Sequence, residues 1–228
     1  METKKPNNKP THHDQSSNIV RSFVHQYVSA SEQSGKKGAI TLLLLHGTGG
    51  NENDLIPLGR KLAPDAPLLS PRGKILESGM PRFFKRLAEG VFDIDDLRFR
   101  TNELADFVAA ASKEYRFDPN SVIAVGYSNG ANIAASMLLL RPEALCGAVL
   151  FRAMLPLVPE KLPNLSGKYI FLSAGRYDQI VTIGQVEKLH QLLTESGAKV
   201  TMNWAQTDHS LIQEEIRKAS NFLQAQFS

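Results

Sequence analysis

The sequence predicts an α/β protein, a mostly parallel sheet with helices on both faces. Three observations predict it. Apolar runs of strand length alternate with stretches of helical periodicity from about residue 39 onward. The clearest run, Ala39-Ile40-Thr41-Leu42-Leu43-Leu44-Leu45, is continuous rather than alternating, as in a parallel strand covered on both sides. Finally, the β-branched run Val122-Ile123-Ala124-Val125 breaks at Gly126-Tyr127-Ser128-Asn129-Gly130 into small helix formers, which reads as strand, sharp turn, helix.

In order along the chain, residues 1–17 are rich in Lys, Asn, Pro, Ser and His and are expected to form a disordered polar leader. Residues 18–228 are expected to form one domain, since 228 residues suffice for one large core and are few for two. Residues 19–28 carry Val20, Phe23, Val24, Tyr27 and Val28 and read as one or two edge strands, followed by a polar turn over 29–37. After the first central strand, His46-Gly47-Thr48-Gly49-Gly50 offers a tight turn and backbone N–H groups to an anion. A helix is expected to begin near Asn53, with Leu55, Leu58 and Leu62 on one face and Pro57 in its first turn. Residues 66–70 are a short strand. Residues 71–95 show little periodicity but are rich in Met and Phe, which predicts a wall or lid. Met80, Phe83 and Phe84 would then touch substrate or pin the loop to the core.

Asp95 or Asp96 should cap a helix bearing Leu97, Leu104, Val108, Ala111 and Tyr115. The helix after the sharp turn should stop before Pro142. Strands follow at 146–151, 168–172 and 199–205. Capping boxes at Thr182–Gln185 and Ser210–Gln213 open the last two helices.

Composition excludes several classes. A net charge of +3 is too small to imply a nucleic-acid partner, and no stretch nears the roughly 20 apolar residues of a membrane span. Cys146 is alone, so no internal disulfide forms and a reducing cytoplasm is the expected location. No Cys cluster or His-Glu-x-x-His suggests a metal, and no Walker or dinucleotide glycine pattern suggests a cofactor.

The chemistry concentrates at the carboxyl ends of the strands, where open α/β sheets bind ligands. Gly-x-Ser-x-Gly between strand and helix is a nucleophile elbow, which makes Ser128 the nucleophile and the Asn129 N–H an oxyanion donor. Serine needs a base, and histidine can take its proton and return it to a leaving group. His12 and His13 lie in the leader, His25 in an edge strand and His190 within a helix. His46 fits a loop-shaping role, so His209, between the last strand and last helix, is the base. Asp178, in the loop after the preceding strand, is the acid that orients it. Asp208 is too close in sequence to turn toward His209. Thr48 is expected to give the second oxyanion N–H, with Gly49 in reserve. Met154 and Leu155, at another strand end, complete the expected pocket.

Four segments carry a family likeness: Leu-Leu-Leu-His-Gly-Thr-Gly-Gly-Asn-Glu from Leu43, Ser-Pro-Arg-Gly from Ser70, Gly-Met-Pro-Arg-Phe-Phe-Lys-Arg-Leu-Ala-Glu-Gly-Val-Phe-Asp from Gly79, and Gly-Tyr-Ser-Asn-Gly-Ala-Asn-Ile-Ala-Ala-Ser from Gly126. Together they resemble the phospholipase/carboxylesterase branch of the α/β-hydrolases, most of all bacterial hydrolases associated with methylhydroquinone and catechol resistance. The resemblance implies a cytoplasmic serine esterase with the triad Ser128, Asp178 and His209, and kinship with acyl-protein thioesterases. The chain departs from the family pattern at Asp178-Gln179, where relatives tend to have Asp-Pro, and at Thr207-Asp208-His209, where they tend to have Gly-Gly-His. Phe151-Arg152-Ala153-Met154 likewise replaces the usual His-Pro-Met. The expected partner is a small-molecule ester, with no nucleic acid and no integral membrane contact. A homodimer through the apolar loop stays open. A non-catalytic binder of small aromatic or acyl ligands is the alternative function, supported by the altered residues around His209.

Overall fold

The computed structural model describes residues 12–30 and 40–227. The expected leader lies outside the described residues up to residue 11, and the expected polar turn does so over 31–37. In chain order the elements are α1 (His12–Arg21), β1 (His25–Val28), β2 (Thr41–Leu45), α2 (Ile56–Leu62), β3 (Leu68–Pro71), β4 (Ile75–Glu77), β5 (Met80–Arg82), β6 (Arg86–Ala88), β7 (Val91–Phe92) and α3 (Ile94–Tyr115). There follow β8 (Val122–Tyr127), α4 (Asn129–Leu140), β9 (Gly147–Phe151), β10 (Tyr169–Gly175), α5 (Ile183–Glu195), β11 (Lys199–Ala205) and α6 (Gln213–Phe227).

Seven strands form the central sheet in the order β1-β3-β2-β8-β9-β10-β11. Among the described residues, only the edge strand β1 is antiparallel to its neighbour in this sheet. The continuous apolar runs are explained by burial on both faces. Leu43, Leu45, Ala124, Leu150 and Leu172 pack toward α3, α4 and α5, while Leu42, Leu44, Ile123, Val125, Val149 and Phe171 pack toward α2 and α6. Alternate side chains of one strand thus enter opposite halves of the core.

Four local expectations are corrected. Residues 12–21 are helical, so neither the disordered leader nor the edge strand reaches across them. The β-branched Ile19, Val20 and Val24 carry a strand signal. Val20 and Phe23 are nevertheless buried three residues apart, and the Phe23 ring meets Phe107 of α3 at 4.5 Å. Helix α2 starts at Ile56 rather than near Asn53, because the Asn53 N–H is turned back onto the Asn51 side chain at 2.9 Å. Helix α3 is capped by Asp93, whose carboxylate accepts the Asp96 N–H at 3.1 Å. At α6 the expected Ser210–Gln213 box is replaced by Glu215, which accepts the Ile212 N–H at 2.8 Å. The Thr182–Gln185 box of α5 is present in both directions.

Residues 71–95, expected as a wall or lid, form two β-hairpins, β4–β5 and β6–β7. Ser78 and Gly79 turn the first with φ of 52° and 80°. Leu76 and Leu87 stand out to solvent.

Candidate active site

Parallel strands put their carboxyl ends on one side of the sheet, and the polar loops there meet. Between β8 and α4, Ser128 has φ 53° and ψ −114°, a conformation that a side chain adopts only under constraint. The constraint comes from its neighbours. A Cβ on Gly126 would lie 2.6 Å from the Ala131 backbone, and one on Gly130 would lie 1.9 Å from the Leu45 carbonyl oxygen. Strand and helix therefore approach as closely as glycine allows, and the turn lifts the serine hydroxyl outward. The Ser128 N–H is fixed on the Phe151 carbonyl at 2.9 Å.

Two further loops complete a hydrogen-bonded line. His209 Nε2 lies 2.9 Å from Ser128 Oγ, and His209 Nδ1 lies 2.7 Å from Asp178 Oδ2. The carboxylate holds the ring proton on Nδ1, which leaves Nε2 to accept from the serine hydroxyl. Asp178 is almost wholly buried, with a side-chain exposure of 1% against 21% for His209. Its other oxygen, Oδ1, accepts the N–H groups of Ile180 at 2.8 Å and Val181 at 3.0 Å. The two loops are also tied directly, since the Tyr177 N–H donates to the Thr207 carbonyl at 3.0 Å. Asp208, the competing carboxylate, is exposed and accepts the Ser210 N–H at 2.8 Å.

The loop after β2 closes the site. The Gly49 N–H donates to Pro81 O at 2.9 Å and is committed there. The Thr48 N–H has no acceptor among the described residues, and its hydroxyl accepts from Arg82 Nη1 at 2.7 Å. Asn129 begins α4, so its N–H has no carbonyl behind it within the helix. Its side-chain oxygen accepts the Phe83 N–H at 2.8 Å. His46 is buried and shapes this loop from beneath. Nδ1 donates to Gly47 O at 2.7 Å, and Nε2 accepts the Gly73 N–H at 3.0 Å. Burial pushes its pKa below the usual 6.5, and the Gly47 bond only partly offsets this.

The expected pocket residues divide. Met80 is exposed, with its thioether beside Gly49. Leu155 is half-buried. Phe84 is wholly buried, edge-on to Phe92 at 4.9 Å, and Phe83 lies under the loop with its ring 4.7 Å from His46. Both phenylalanines anchor the hairpins to the core, so neither presents a surface to substrate. Met154 is also buried, with its N–H on Asn132 Oδ1 at 3.0 Å and its sulfur 3.8 Å from Gln185 Nε2. Arg82, Tyr127, Arg152 and Glu215 all touch the loops of the site and were not anticipated. Arginine and glutamate inside a core have no signature in periodicity, and only the position of Arg152 at a strand end hinted at one of them.

Among the described residues no group of three His, Cys, Asp or Glu is placed to hold a metal ion, and no helix is long and apolar enough to cross a membrane. Burial pushes the Cys146 thiol up to about 11.

Fold and site together define an α/β-hydrolase-fold hydrolase. The chain belongs to the Phospholipase/Carboxylesterase family, whose model matches residues 27–227. It is 52% identical over 178 residues to "Putative hydrolase MhqD" of Bacillus subtilis (strain 168), covering 78% of this chain and 89% of that one. Among solved structures, the Bacillus cereus carboxylesterase superposes with a TM-score of 0.86 at 48% identity, over 90% of this chain and 95% of that one. A carboxylesterase from Mesorhizobium loti superposes with a TM-score of 0.81 at 30% identity, over 89% and 94%.

Proposed function

We propose that this hydrolase is a serine carboxylesterase that cleaves small carboxylic esters, thioesters among the candidates, through an acyl-Ser128 intermediate. The observation that carries the reading is the unbroken hydrogen-bonded line from Asp178 through His209 to Ser128. The carboxylesterases of similar sequence support it.

In the first half-reaction His209 Nε2 takes the hydroxyl proton as Ser128 Oγ attacks the ester carbonyl carbon. The carbonyl oxygen becomes an oxyanion between the N–H groups of Thr48 and Asn129, each worth about 2.7–4 kcal/mol in such sites. Asp178 stabilises the imidazolium without taking its proton. Collapse breaks the ester C–O bond, and the imidazolium gives its proton to the leaving alkoxide. In the second half, water replaces the alcohol, His209 takes one of its protons, and the acid departs as Ser128 regains its hydrogen.

A binder without turnover would need no such line. The Asp208 carboxylate, which had favoured that reading, is engaged by Ser210 rather than aimed at the imidazole. The test is labelling with a fluorophosphonate, with the modified peptide identified by mass spectrometry, beside turnover of p-nitrophenyl acetate and butyrate. Label on Ser128 with turnover is expected, and both vanish in Ser128→Ala. A folded wild-type protein that neither labels nor turns over refutes the esterase.

A further inference from the structure

The loop carrying His209 is short and polar, and it lies at the open end of the sheet, yet three consecutive carbonyls in it are held by side chains. Arg152 Nε donates to Asp208 O at 3.1 Å, Tyr127 Oη donates to His209 O at 3.0 Å, and Arg152 Nη2 donates to Ser210 O at 2.5 Å. Both clamping residues are adjacent to the anchorage of the nucleophile. Tyr127 immediately precedes Ser128, and Arg152 follows Phe151, whose carbonyl fixes the Ser128 N–H. Each of the two therefore sits one residue along the chain from an anchor of the serine, while its side chain holds the backbone at or beside the histidine.

Arg152 is unusual in two further ways. It has φ 58°, a left-handed conformation that favours glycine over residues bearing a side chain. It is also fully buried, as is its partner Glu215. Taking this pair out of water is expensive, and an apolar pair of similar volume is often as stable. The hydrogen-bond inventory shows how the cost is met. A guanidinium has five N–H donors, and each has an acceptor: Asp208 O, Ser210 O, Ser173 O and the two oxygens of Glu215. Glu215 is filled in turn by the Ser173 hydroxyl and the Ile212 N–H. Asn203 and Lys218 extend the chain of contacts to the surface.

We infer that Arg152, oriented by Glu215 and assisted by Tyr127, is a positioning residue that sets the distance between His209 and Ser128. This rests on the esterase reading for its kinetic consequence, and its structural consequence stands apart from that reading. A side-chain fork reaches both sides of the histidine without touching the imidazole, so the ring keeps its two partners while its backbone is held. Geometry of this kind is worth much in rate, since a displacement of about 1 Å costs on the order of 10²-fold.

The test is a set of variants assayed for kcat and KM separately, with hydrogen exchange followed over residues 206–212. Arg152→Met/Glu215→Gln removes both charges together, so none is left buried alone. It is expected to melt cooperatively, to lose about 10²-fold in kcat with KM within about threefold, and to exchange faster over 206–212 but not in β8. Tyr127→Phe keeps the ring and is expected to lose about 3–10-fold in kcat, the worth of one hydrogen bond. Combined, the substitutions should cost less than the product of their separate effects, because they release the same loop. A folded double variant with wild-type kcat and unchanged exchange overturns the proposal and leaves Arg152–Glu215 as a packing device for α6. Should the double variant fail to fold, Arg152→Lys and Tyr127→Phe carry the test, and wild-type kcat in both overturns it. Should the wild type turn over no ester, the esterase reading fails by itself, and unaltered exchange over 206–212 in these variants still overturns the positioning role.

Discussion

Replacing Asp178 by asparagine tests the proposed mechanism at a point where the structure dictates what the new side chain must do. Oδ1 of Asp178 accepts two backbone N–H groups, from Ile180 and Val181. An asparagine must keep its carbonyl oxygen there, because turning the amide over would set its N–H₂ against both donors. The N–H₂ group is then forced into the place of Oδ2, which lies 2.7 Å from His209 Nδ1 in the parent. Facing a donor, Nδ1 must become an acceptor, and the ring proton moves to Nε2. A histidine with its proton on Nε2 donates to Ser128 Oγ and cannot take a proton from it. The same wrong-tautomer substitution in the trypsin-type triad lowers kcat by about 10⁴, which is about 5.4 kcal/mol of transition-state stabilisation. Asp178→Asn is therefore expected to lose about 10⁴-fold in p-nitrophenyl butyrate turnover and to label slowly with fluorophosphonate. Its melting temperature should stay close to the parent's, because both turn hydrogen bonds persist. Asp208→Asn, outside the line, should stay within about threefold of the parent in kcat. A tenfold loss or less in Asp178→Asn, with Asp208→Asn falling further, would show that the acid had been wrongly assigned.

Three other outcomes are expected. Gly130→Ala drives a Cβ to 1.9 Å from Leu45 O and 2.6 Å from His46 O. These are backbone atoms that cannot swing aside, so a loss of at least ~3 kcal/mol is expected, and a melting curve within 2 °C of the parent would contradict it. His46 is held neutral, with its pKa lowered by burial. Between the ordinary value of 6.5 and the lowered one, the unfolded chain binds more protons than the folded chain, so stability falls as pH falls through that window. Urea unfolding between pH 7.5 and 5 should show this slope and His46→Asn should flatten it, whereas equal slopes would remove His46 as the cause. Cys146, with its thiol pushed up to about 11, should react with iodoacetamide at pH 8 about 10²-fold more slowly in the folded chain than after unfolding. Fast alkylation of the folded protein would place the thiol in a more polar setting than the structure gives it.

The parts of the molecule that were legible in the sequence are those where one physical demand dominates. Leu42 to Leu45 had to be buried on both sides, and so they read as a central strand. Gly126 and Gly130 had to be glycine for strand and helix to approach, and so the elbow was visible before any coordinates. Asp178 and His209 followed from strand order, because in a parallel sheet each loop at a carboxyl end reaches the same crevice. Harder to read were the places where two demands compete. Ile19, Val20 and Val24 favour a strand by their branching, but burial of Val20 and Phe23 against α3 made the segment before residue 22 a helix. Phe83 and Phe84 sit in a loop-like stretch and suggested substrate contact, although their rings are the anchors of the hairpins. Arg152 and Glu215 were invisible for a different reason. A buried charge is explained only by its partners, and these partners are 63 positions apart in the chain.

The first hairpin is hydrogen-bonded to the site through its stem. Pro81 O holds the Gly49 N–H, Arg82 holds the Thr48 hydroxyl, and the Phe83 N–H is held by Asn129. The turns at Gly79 and Gly90 meet nothing within 4 Å of an added Cβ. The first hairpin thus combines a fixed stem with a free tip. Residues can be inserted at the tips without disturbing the loop after β2, while a change of one residue in the 81–83 stem would move that loop and the β8–α4 turn together. In the proposed esterase, these three stem residues would carry the register between the loop after β2 and Ser128.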